Sequence, residues 1–185
     1  MHKGFVFYIV GSSGVGKDTI INKLKSTIAL NDKFIFTKRF ITRPNVDGNE
    51  KHIQLSKEDF QNRVKHNLFS LYWEAHNNLY GVGIELEYWT FNGYNVFVNG
   101  SREYKEIAKL KYPNLKSILI DAEKSVIYER LIGRKRESVQ LIEKRMMRNE
   151  EFSSMDFDLI VRNESTIENA VDSILYYINN LTSLE

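Results

Sequence analysis

The sequence has no cysteine and only two prolines among its 185 residues. The absence of cysteine excludes disulfides, cysteine-ligated zinc, iron–sulfur clusters and thiol nucleophiles. No apolar run approaches the roughly 18 residues that a membrane-spanning helix needs. The apolar stretch Phe5–Val10 is also too short for the core of a signal peptide. We therefore expect a cytoplasmic protein with no membrane partner.

Neither sign of charge is in large excess, because 26 Lys and Arg face 24 Asp and Glu. This balance excludes a polycation built for non-specific duplex binding, and we expect no nucleic-acid partner. Hydrophobic residues make up 42% of the chain, which is ordinary for a globular protein. At this length a single compact domain is the simplest organisation. The sequence leaves the oligomeric state open.

Short apolar runs, which are typical of buried strands, alternate with segments of helical periodicity. The predicted strands are 5–10, 34–37, 95–98, 115–120 and 157–161. The predicted helices are 17–30, 101–111, 124–131, 139–152 and 166–181. Strands that alternate with helices indicate an α/β fold, a parallel sheet with helices on both faces.

Residues 39–91 interrupt this alternation. The segment is polar, contains Arg43-Pro44 and Asp47-Gly48, and offers only short strand-like pieces such as Asn67–Tyr72. Pro and Gly pairs of this kind mark turns. We expect a small substrate-binding lobe here, inserted into a core made of residues 1–38 and 92–185.

A phosphate-binding loop is predicted between the first strand and the first helix, where the pattern G-x-x-x-x-G-K occurs. Glycines let the backbone curl so that successive N–H groups point at phosphate oxygens, and the helix adds its positive amino-terminal end. Lys17 would reach the β- and γ-phosphates of a nucleotide. The residues expected to bind ATP are Gly11, Ser12, Ser13, Gly14, Val15, Gly16, Lys17, Asp18 and Thr19.

Asp18 departs from the usual pattern, in which Ser or Thr follows the lysine and binds Mg²⁺. A carboxylate is also a hard oxygen ligand, so Asp18 can hold Mg²⁺ directly or through a water. The alternative is that Asp18 only stabilises the first turn of the helix by its negative charge. The sequence leaves both interpretations open.

Arginines cluster around Gly133, at Arg130, Arg134 and Arg136. Most charge runs are solvated helix faces, and that alternative stays open here. Phosphoryl transfer, however, depends on electrostatic clamping of the migrating group, and a Gly-centred, Arg-rich segment is typical of a closing lid. We expect an Arg-rich lid at about residues 132–140.

Other kinds of active site find no support in the sequence. There is no G-x-S-x-G motif and no protein-kinase motif set, and the histidines are not at metal-ligand spacing. No general base is evident either. That is consistent with an acceptor that is itself a phosphate, because such a nucleophile is already anionic.

Four pieces in order along residues 5–163 resemble the guanylate kinase superfamily. They are the phosphate loop, the segment Arg39–Pro44, the pair Tyr80-Gly81, and the series Arg130-Leu131, Arg134 and Arg145. The resemblance implies a parallel P-loop core, a lobe for the acceptor and an Arg-bearing lid. It also implies ATP as co-substrate and Mg²⁺ as cofactor.

Within the superfamily the chain is more similar to the ribose 1,5-bisphosphate phosphokinases than to the guanylate kinases themselves. The similar segments are Gly16–Asp18, Ile41–Pro44, Leu79–Gly83 and Val98–Arg102, with Ser12 as a minor departure. This resemblance implies transfer of the ATP γ-phosphate to ribose 1,5-bisphosphate, a sugar bisphosphate, giving 5-phosphoribosyl 1-diphosphate and ADP.

The resemblance also implies roles for individual residues. Lys17, Arg134 and Arg145 would be catalytic, the two arginines by clamping the transferring group. The residues that would bind the acceptor are Arg39, Arg43, Tyr80 and Asn99.

Guanylate kinase itself, acting on GMP, is the alternative. Guanylate kinases bind the guanine edge with a Glu ahead of the Tyr-Gly pair and an Asp at the end of a later strand. Those positions hold Leu71 and Asn99, although Glu74 could substitute if the lobe is shifted. Losing such hydrogen-bond partners discriminates strongly against a ligand. A non-catalytic binding module of the same family is less compatible with an intact phosphate loop.

Overall fold

The structure is a computed structural model that describes residues 3–28, 33–44, 52–133, 139–140, 142–143, 146 and 156–182. The strands are β1 Val6–Gly11, β2 Phe34–Phe36, β3 Arg39–Ile41, β4 Ile53–Gln54, β5 Phe69–Ala75, β6 Asn78–Gly83, β7 Asn95–Asn99, β8 Leu115–Asp121 and β9 Leu159–Arg162. The helices are α1 Lys17–Thr27, α2 Lys57–Lys65, α3 Glu85–Phe91, α4 Lys105–Lys111, α5 Lys124–Gly133 and α6 Ile167–Thr182.

A parallel five-stranded sheet with the order β2-β7-β1-β8-β9, flanked by helices, forms the core. Residues 6–10 of β1 are at most 1% exposed, as expected for a strand at the centre of a parallel sheet. The predicted α/β fold with a parallel sheet is therefore confirmed. All five strands predicted from apolar runs occur in it, within two residues of the expected bounds.

A second, four-stranded sheet with the order β4-β3-β6-β5 is built from residues 39–83. β5 and β6 form an antiparallel hairpin whose turn residues His76 and Asn77 have φ of 51° and 59°. Helix α2 packs against this sheet through Phe60, which clusters with Phe40 and Phe69. The small lobe thus has its own apolar core.

Two helices in this segment, α2 and α3, were not predicted from the sequence. α2 is strongly polar, and Phe60 is its one buried residue. Its start is set by Ser56, whose hydroxyl accepts a hydrogen bond from the Asp59 N–H at 2.9 Å. A cap of this kind satisfies one of the otherwise unpaired N–H groups of the first turn.

Helix α4 begins at Lys105, four residues later than predicted. The reason lies at Ser101, whose backbone N–H donates to the Tyr8 hydroxyl at 2.9 Å, while the same hydroxyl donates to the Ser101 carbonyl at 3.3 Å. The Ser101 carbonyl accepts from Tyr8, while the Lys105 N–H donates to the Arg102 carbonyl at 3.2 Å, so no α-helical hydrogen bond begins at Ser101. The predicted helix 139–152 lies mostly outside the described residues.

The chain divides into two compact units. One comprises Met1–Tyr8 and Ile28–Lys116, and the other Ile9–Thr27 and Ser117–Glu185. In the second unit α6 packs against α1, with an exposed Lys23–Glu168 ion pair at 3.2 Å. The expected bounds of core, lobe and lid stay predictions. None of the described helices is both long enough and apolar enough to cross a membrane.

Candidate functional site

The predicted phosphate loop leads from the end of β1 directly into α1. Gly11 is the last residue of β1, and Lys17 is the first of α1. Between them Val15 is fully buried, which fixes the loop to the core, whereas Ser13 is exposed. The structure therefore brings all nine residues expected to bind ATP into one strand–loop–helix segment.

The loop curls because two of its glycines adopt positive φ. Gly14 has φ 90° and Gly16 has φ 94°, values that residues with a β-carbon rarely adopt. The Ile20 N–H donates to the Gly16 carbonyl at 3.1 Å, so the helical hydrogen bonds begin immediately after the loop. A curled backbone that runs into a helix amino terminus is suited to binding phosphate.

Lys17 and Asp18 occupy the first turn of α1, and both are half-buried, while Thr19 is exposed. Mg²⁺ bound with a nucleotide commonly takes most of its ligands from phosphates and water and only one or two from protein carboxylates. In the described part of the chain no three His, Asp or Glu side chains form a metal-binding group. The Asp18 carboxylate, in the first turn of α1 beside the phosphate loop, fits this limited protein contribution to a nucleotide-bound Mg²⁺.

Two of the residues expected to bind the acceptor lie in contact in the four-stranded sheet. The Arg39 guanidinium lies over the ring of Tyr80, 5.5 Å from its centroid. Tyr80 stacks on Trp73 at 5.7 Å, and Trp73 stacks on Tyr104 at 5.7 Å. We call these four residues, Arg39, Tyr80, Trp73 and Tyr104, the aromatic row.

Strand register explains why three members of the aromatic row meet. Arg39 pairs with Val82, Ile41 with Tyr80, and Trp73 with Tyr80, so these side chains share one face of the sheet. The opposite face is the one covered by α2. Trp73 is 8% exposed and Tyr80 is 7% exposed, which fixes the ring beneath the Arg39 guanidinium. A guanidinium held in this way is preorganised for a phosphate.

Leu71 lies on the same face of β5 as Trp73 and is fully buried. Counted back from Tyr80-Gly81, Leu71 stands where the resemblance leads us to expect the guanine-binding Glu of a guanylate kinase. Glu74, the suggested substitute, pairs with Leu79 and lies on the opposite face of β5, with its side chain exposed. No carboxylate from this part of β5 therefore lies on the face that carries the aromatic row.

The segment after β7 is held by Tyr8. Asn99 ends β7 and is half-buried, and a β-carbon on Gly100 would overlap the ring of Tyr8. Burial raises the pKa of the Tyr8 phenol well above its usual value, and burial also raises the pKa of Tyr104. Both phenols are therefore neutral at physiological pH, and they serve as hydrogen-bonding and packing groups.

Arg43 lies two residues beyond β3, and its side chain is exposed. Its backbone carbonyl is bound to Nε2 of the buried His52 at 2.8 Å, which fixes this turn of the chain. Arg134 and Arg145 lie outside the described residues, as does most of the expected lid. Their roles stay predictions.

Several residues at these sites were not identified from the sequence: Tyr8, Trp73 and Tyr104 near the expected acceptor residues, and Asn163 near the phosphate loop. Leu71 and Trp73 lie two residues apart in β5, as do Tyr80 and Val82 in β6. This period of two indicates one buried face of a hairpin, so the sequence did carry a signal for Trp73. Nothing local indicated Tyr104 or Asn163, because their contacts are distant in sequence.

The family model for guanylate kinase matches residues 4–181. That range includes the phosphate loop, the aromatic row and all the described strands. The chain belongs to the guanylate kinase family. As a member of the guanylate kinase family it is a phosphotransferase, with ATP as the co-substrate.

Eight curated relatives that are 34–41% identical to this chain carry one name. Ribose 1,5-bisphosphate phosphokinase PhnN of Psychromonas ingrahamii is 38% identical over 96% of this chain and 91% of its own. The protein of the same name from Thiobacillus denitrificans is 34% identical over 97% and 95% of the two chains. Among solved structures, guanylate kinase from Anaplasma phagocytophilum superposes with a TM-score of 0.73 at 18% identity, covering 97% of this chain and 87% of that one. This last match shows the shared fold.

Proposed function

We propose that this phosphotransferase moves the γ-phosphoryl group of ATP to the 1-phosphate of ribose 1,5-bisphosphate. The products are 5-phosphoribosyl 1-diphosphate and ADP. An oxygen of the 1-phosphate forms the new bond to the γ-phosphorus, while the bond from that phosphorus to the β–γ bridging oxygen breaks. The attacking oxygen is already anionic, so no protein base has to remove a proton from it.

One observation carries the choice of acceptor. On the face of the small sheet that holds Arg39 over Tyr80, Leu71 is buried, and this is the position at which the count from Tyr80-Gly81 expects the guanine-binding Glu of a guanylate kinase. A guanidinium able to bind phosphate is thus retained, while the described residues of this face of β5 offer no carboxylate partner for guanine. The names of the relatives that match this chain over nearly its whole length support the same acceptor.

Arg39 and Arg43 would bind the phosphates of the acceptor, and Tyr80 would support Arg39. Arginine can bind each phosphate through two parallel hydrogen bonds, so a compact bisphosphate can be oriented without any base contact. Asn99, at the end of β7, would contribute an amide instead of the carboxylate that guanine requires. Arg134 and Arg145 would clamp the transferring group.

The phosphate loop would bind the ATP phosphates through its backbone N–H groups, with Lys17 on the β- and γ-phosphates. Asp18 would hold Mg²⁺, directly or through a water, and the ion would neutralise charge on the phosphates. Because the reaction consumes ATP, we infer that the protein acts in the cytoplasm and that its partners are small molecules.

An ADP-release assay with ribose 1,5-bisphosphate, GMP and dGMP as acceptors tests the proposal. Turnover with the sugar bisphosphate alone supports it, and turnover with GMP that equals or exceeds it contradicts it.

A further inference from the structure

The carbonyl oxygen of Val15, in the middle of the phosphate loop, accepts two side-chain hydrogen bonds. Asn163 donates from Nδ2 at 2.7 Å, and Arg130 donates from Nη1 at 3.2 Å. Arg130 belongs to α5, and Asn163 directly follows β9. Two elements more than a hundred residues further along the chain therefore hold one peptide of the loop.

Asn163 is itself firmly held. It is 3% exposed, and its backbone N–H donates to the Asp121 carbonyl at 2.7 Å. Only the amide nitrogen of an asparagine can donate to a carbonyl, so the contact with Val15 fixes which way the side-chain amide is turned. A β-carbon on Gly16 would lie 2.6 Å from that nitrogen. Position 16 therefore requires glycine for two reasons: its backbone φ is positive, and Asn163 leaves no room for a β-carbon.

The orientation of one peptide plane follows from these contacts. The Val15 carbonyl and the Gly16 N–H belong to the same planar trans peptide, so they point in opposite directions. While Asn163 and Arg130 hold the carbonyl, the Gly16 N–H is turned away from them. Reversal of this peptide would present a carbonyl oxygen where the loop needs an N–H donor for phosphate.

We propose that Asn163 and Arg130 are positioning residues for the phosphate loop, which hold the Val15–Gly16 peptide so that the Gly16 N–H is available to the nucleotide phosphates. The inference rests on the proposed role of the loop in binding ATP. Asn163 then affects the binding of the polyphosphate part of ATP through the Val15–Gly16 backbone, without contacting the ligand itself.

The alternative is a direct contact between Asn163 and the base. Among the described residues, the buried Oδ1 of Asn163 has no hydrogen-bond partner. A ligand without a base separates the two roles. Inorganic tripolyphosphate offers the phosphates of ATP alone, so a positioning residue affects its binding and a base-contacting residue does not.

The test uses Asn163→Leu, which keeps the size of the side chain and removes its donor, and Arg130→Met, which keeps the stem and removes the guanidinium. Binding of tripolyphosphate and of ATP to the full chain is measured by calorimetry. We expect Asn163→Leu to weaken both ligands by the same factor, about tenfold, the scale of one hydrogen bond. Arg130→Met should also weaken both ligands, because it removes the second donor to the same carbonyl.

The double variant gives a further readout. Because both donors share one carbonyl, the combined loss should differ from the product of the two single losses. Ser117→Ala is the matched control. It removes the 2.6 Å hydrogen bond from the Ser117 hydroxyl to Asp158, near the start of β8 and away from Asp121, which contacts Asn163. This variant should have lower thermal stability and unchanged affinity for both ligands.

Unchanged tripolyphosphate affinity in folded Asn163→Leu would overturn the inference, as would a loss confined to ATP. If Asn163→Leu does not fold, unchanged tripolyphosphate affinity in Arg130→Met is equally contrary to it. Failure of the unaltered protein to bind ATP overturns the proposed function itself, whereas binding of ATP without binding of tripolyphosphate is contrary only to the inference, and the two failures are thereby distinguished.

Discussion

The indole of Trp73 lies parallel to the ring of Tyr80, with the ring centroids 5.7 Å apart and the planes within 5° of each other. Because Tyr80 in turn lies beneath the Arg39 guanidinium, the buried indole fixes the surface on which that charge rests. If Arg39 binds the acceptor as we propose, packing inside the small sheet is coupled to acceptor recognition through a single tyrosine ring.

Replacing Trp73 tests that coupling. Trp73→Leu should raise KM for ribose 1,5-bisphosphate up to about tenfold, the scale of a lost aromatic pair. The KM for ATP should stay unchanged in steady-state assays that vary each substrate in turn. Tyr72→Leu is the control, since Tyr72 directly precedes Trp73 in β5, is 47% exposed and lies on the opposite face. Equal changes in both KM values would contradict the coupling.

Arg39→Lys should also be damaging, although it keeps the charge. Lysine cannot make the paired hydrogen bonds that arginine makes to a phosphate. We expect kcat/KM for ribose 1,5-bisphosphate to fall roughly 10- to 100-fold, the scale of a lost hydrogen bond to a charged group. Arg63→Lys is a matched control, because Arg63 lies over Phe40 at 4.6 Å in the same lobe. A similar loss in both variants would show that packing of the lobe, and not phosphate binding, is affected.

The parallel core was predictable from the sequence, whereas the aromatic row was not. Strands such as Val6–Gly11 are short, continuously apolar and bounded by glycine, and that local pattern is sufficient. The row depends on hairpin register and on Tyr104, which lies 31 residues beyond Trp73. Helix α2 was missed because its only buried residue is Phe60, so helical periodicity is weak there.

The candidate site shows the same division between local and distant contacts. The strand–loop–helix placement of the phosphate loop was predictable because the motif and its flanking strand and helix are contiguous, whereas the binding of ATP there stays a prediction. Arg39 and Tyr80 came from the resemblance to a family, and the contact between them appears only in the structure. The two bonds to the Val15 carbonyl span 115 and 148 residues, and no pattern within one segment could reveal them.

Lys17→Ala should reduce turnover by about 10² to 10³, the scale of losing one electrostatic donor to the transition state. Folding should be retained because Lys17 begins α1 and is not part of the buried core. Lys23→Ala on the same helix removes only an exposed ion pair with Glu168 and should leave turnover near normal. Near-normal turnover by folded Lys17→Ala would refute the assignment of the phosphate loop.

Tyr8→Phe should lower the free energy of unfolding by about 1–3 kcal/mol, because Ser101 loses a buried hydrogen-bond partner. Chemical denaturation measures this, with Tyr88→Phe, an exposed phenol, as the control. Since burial raises the pKa of Tyr8 above its ordinary value of 10.0, the stability it confers is present below pH 10 and declines as the pH rises further. That decline should be smaller in Tyr8→Phe, and an identical pH dependence would contradict this role of the phenol.

The choice of acceptor is the central claim, and competition between acceptors tests it most directly. The purified chain is supplied with ATP and Mg²⁺, and kcat/KM is measured for ribose 1,5-bisphosphate and for GMP under the same conditions. With Leu71 buried on the face that carries Arg39, we expect the sugar bisphosphate to be preferred by at least about 10³, because guanine lacks its carboxylate partner. Phosphorylation of GMP at an equal or higher kcat/KM would contradict the account and make the chain a guanylate kinase by activity.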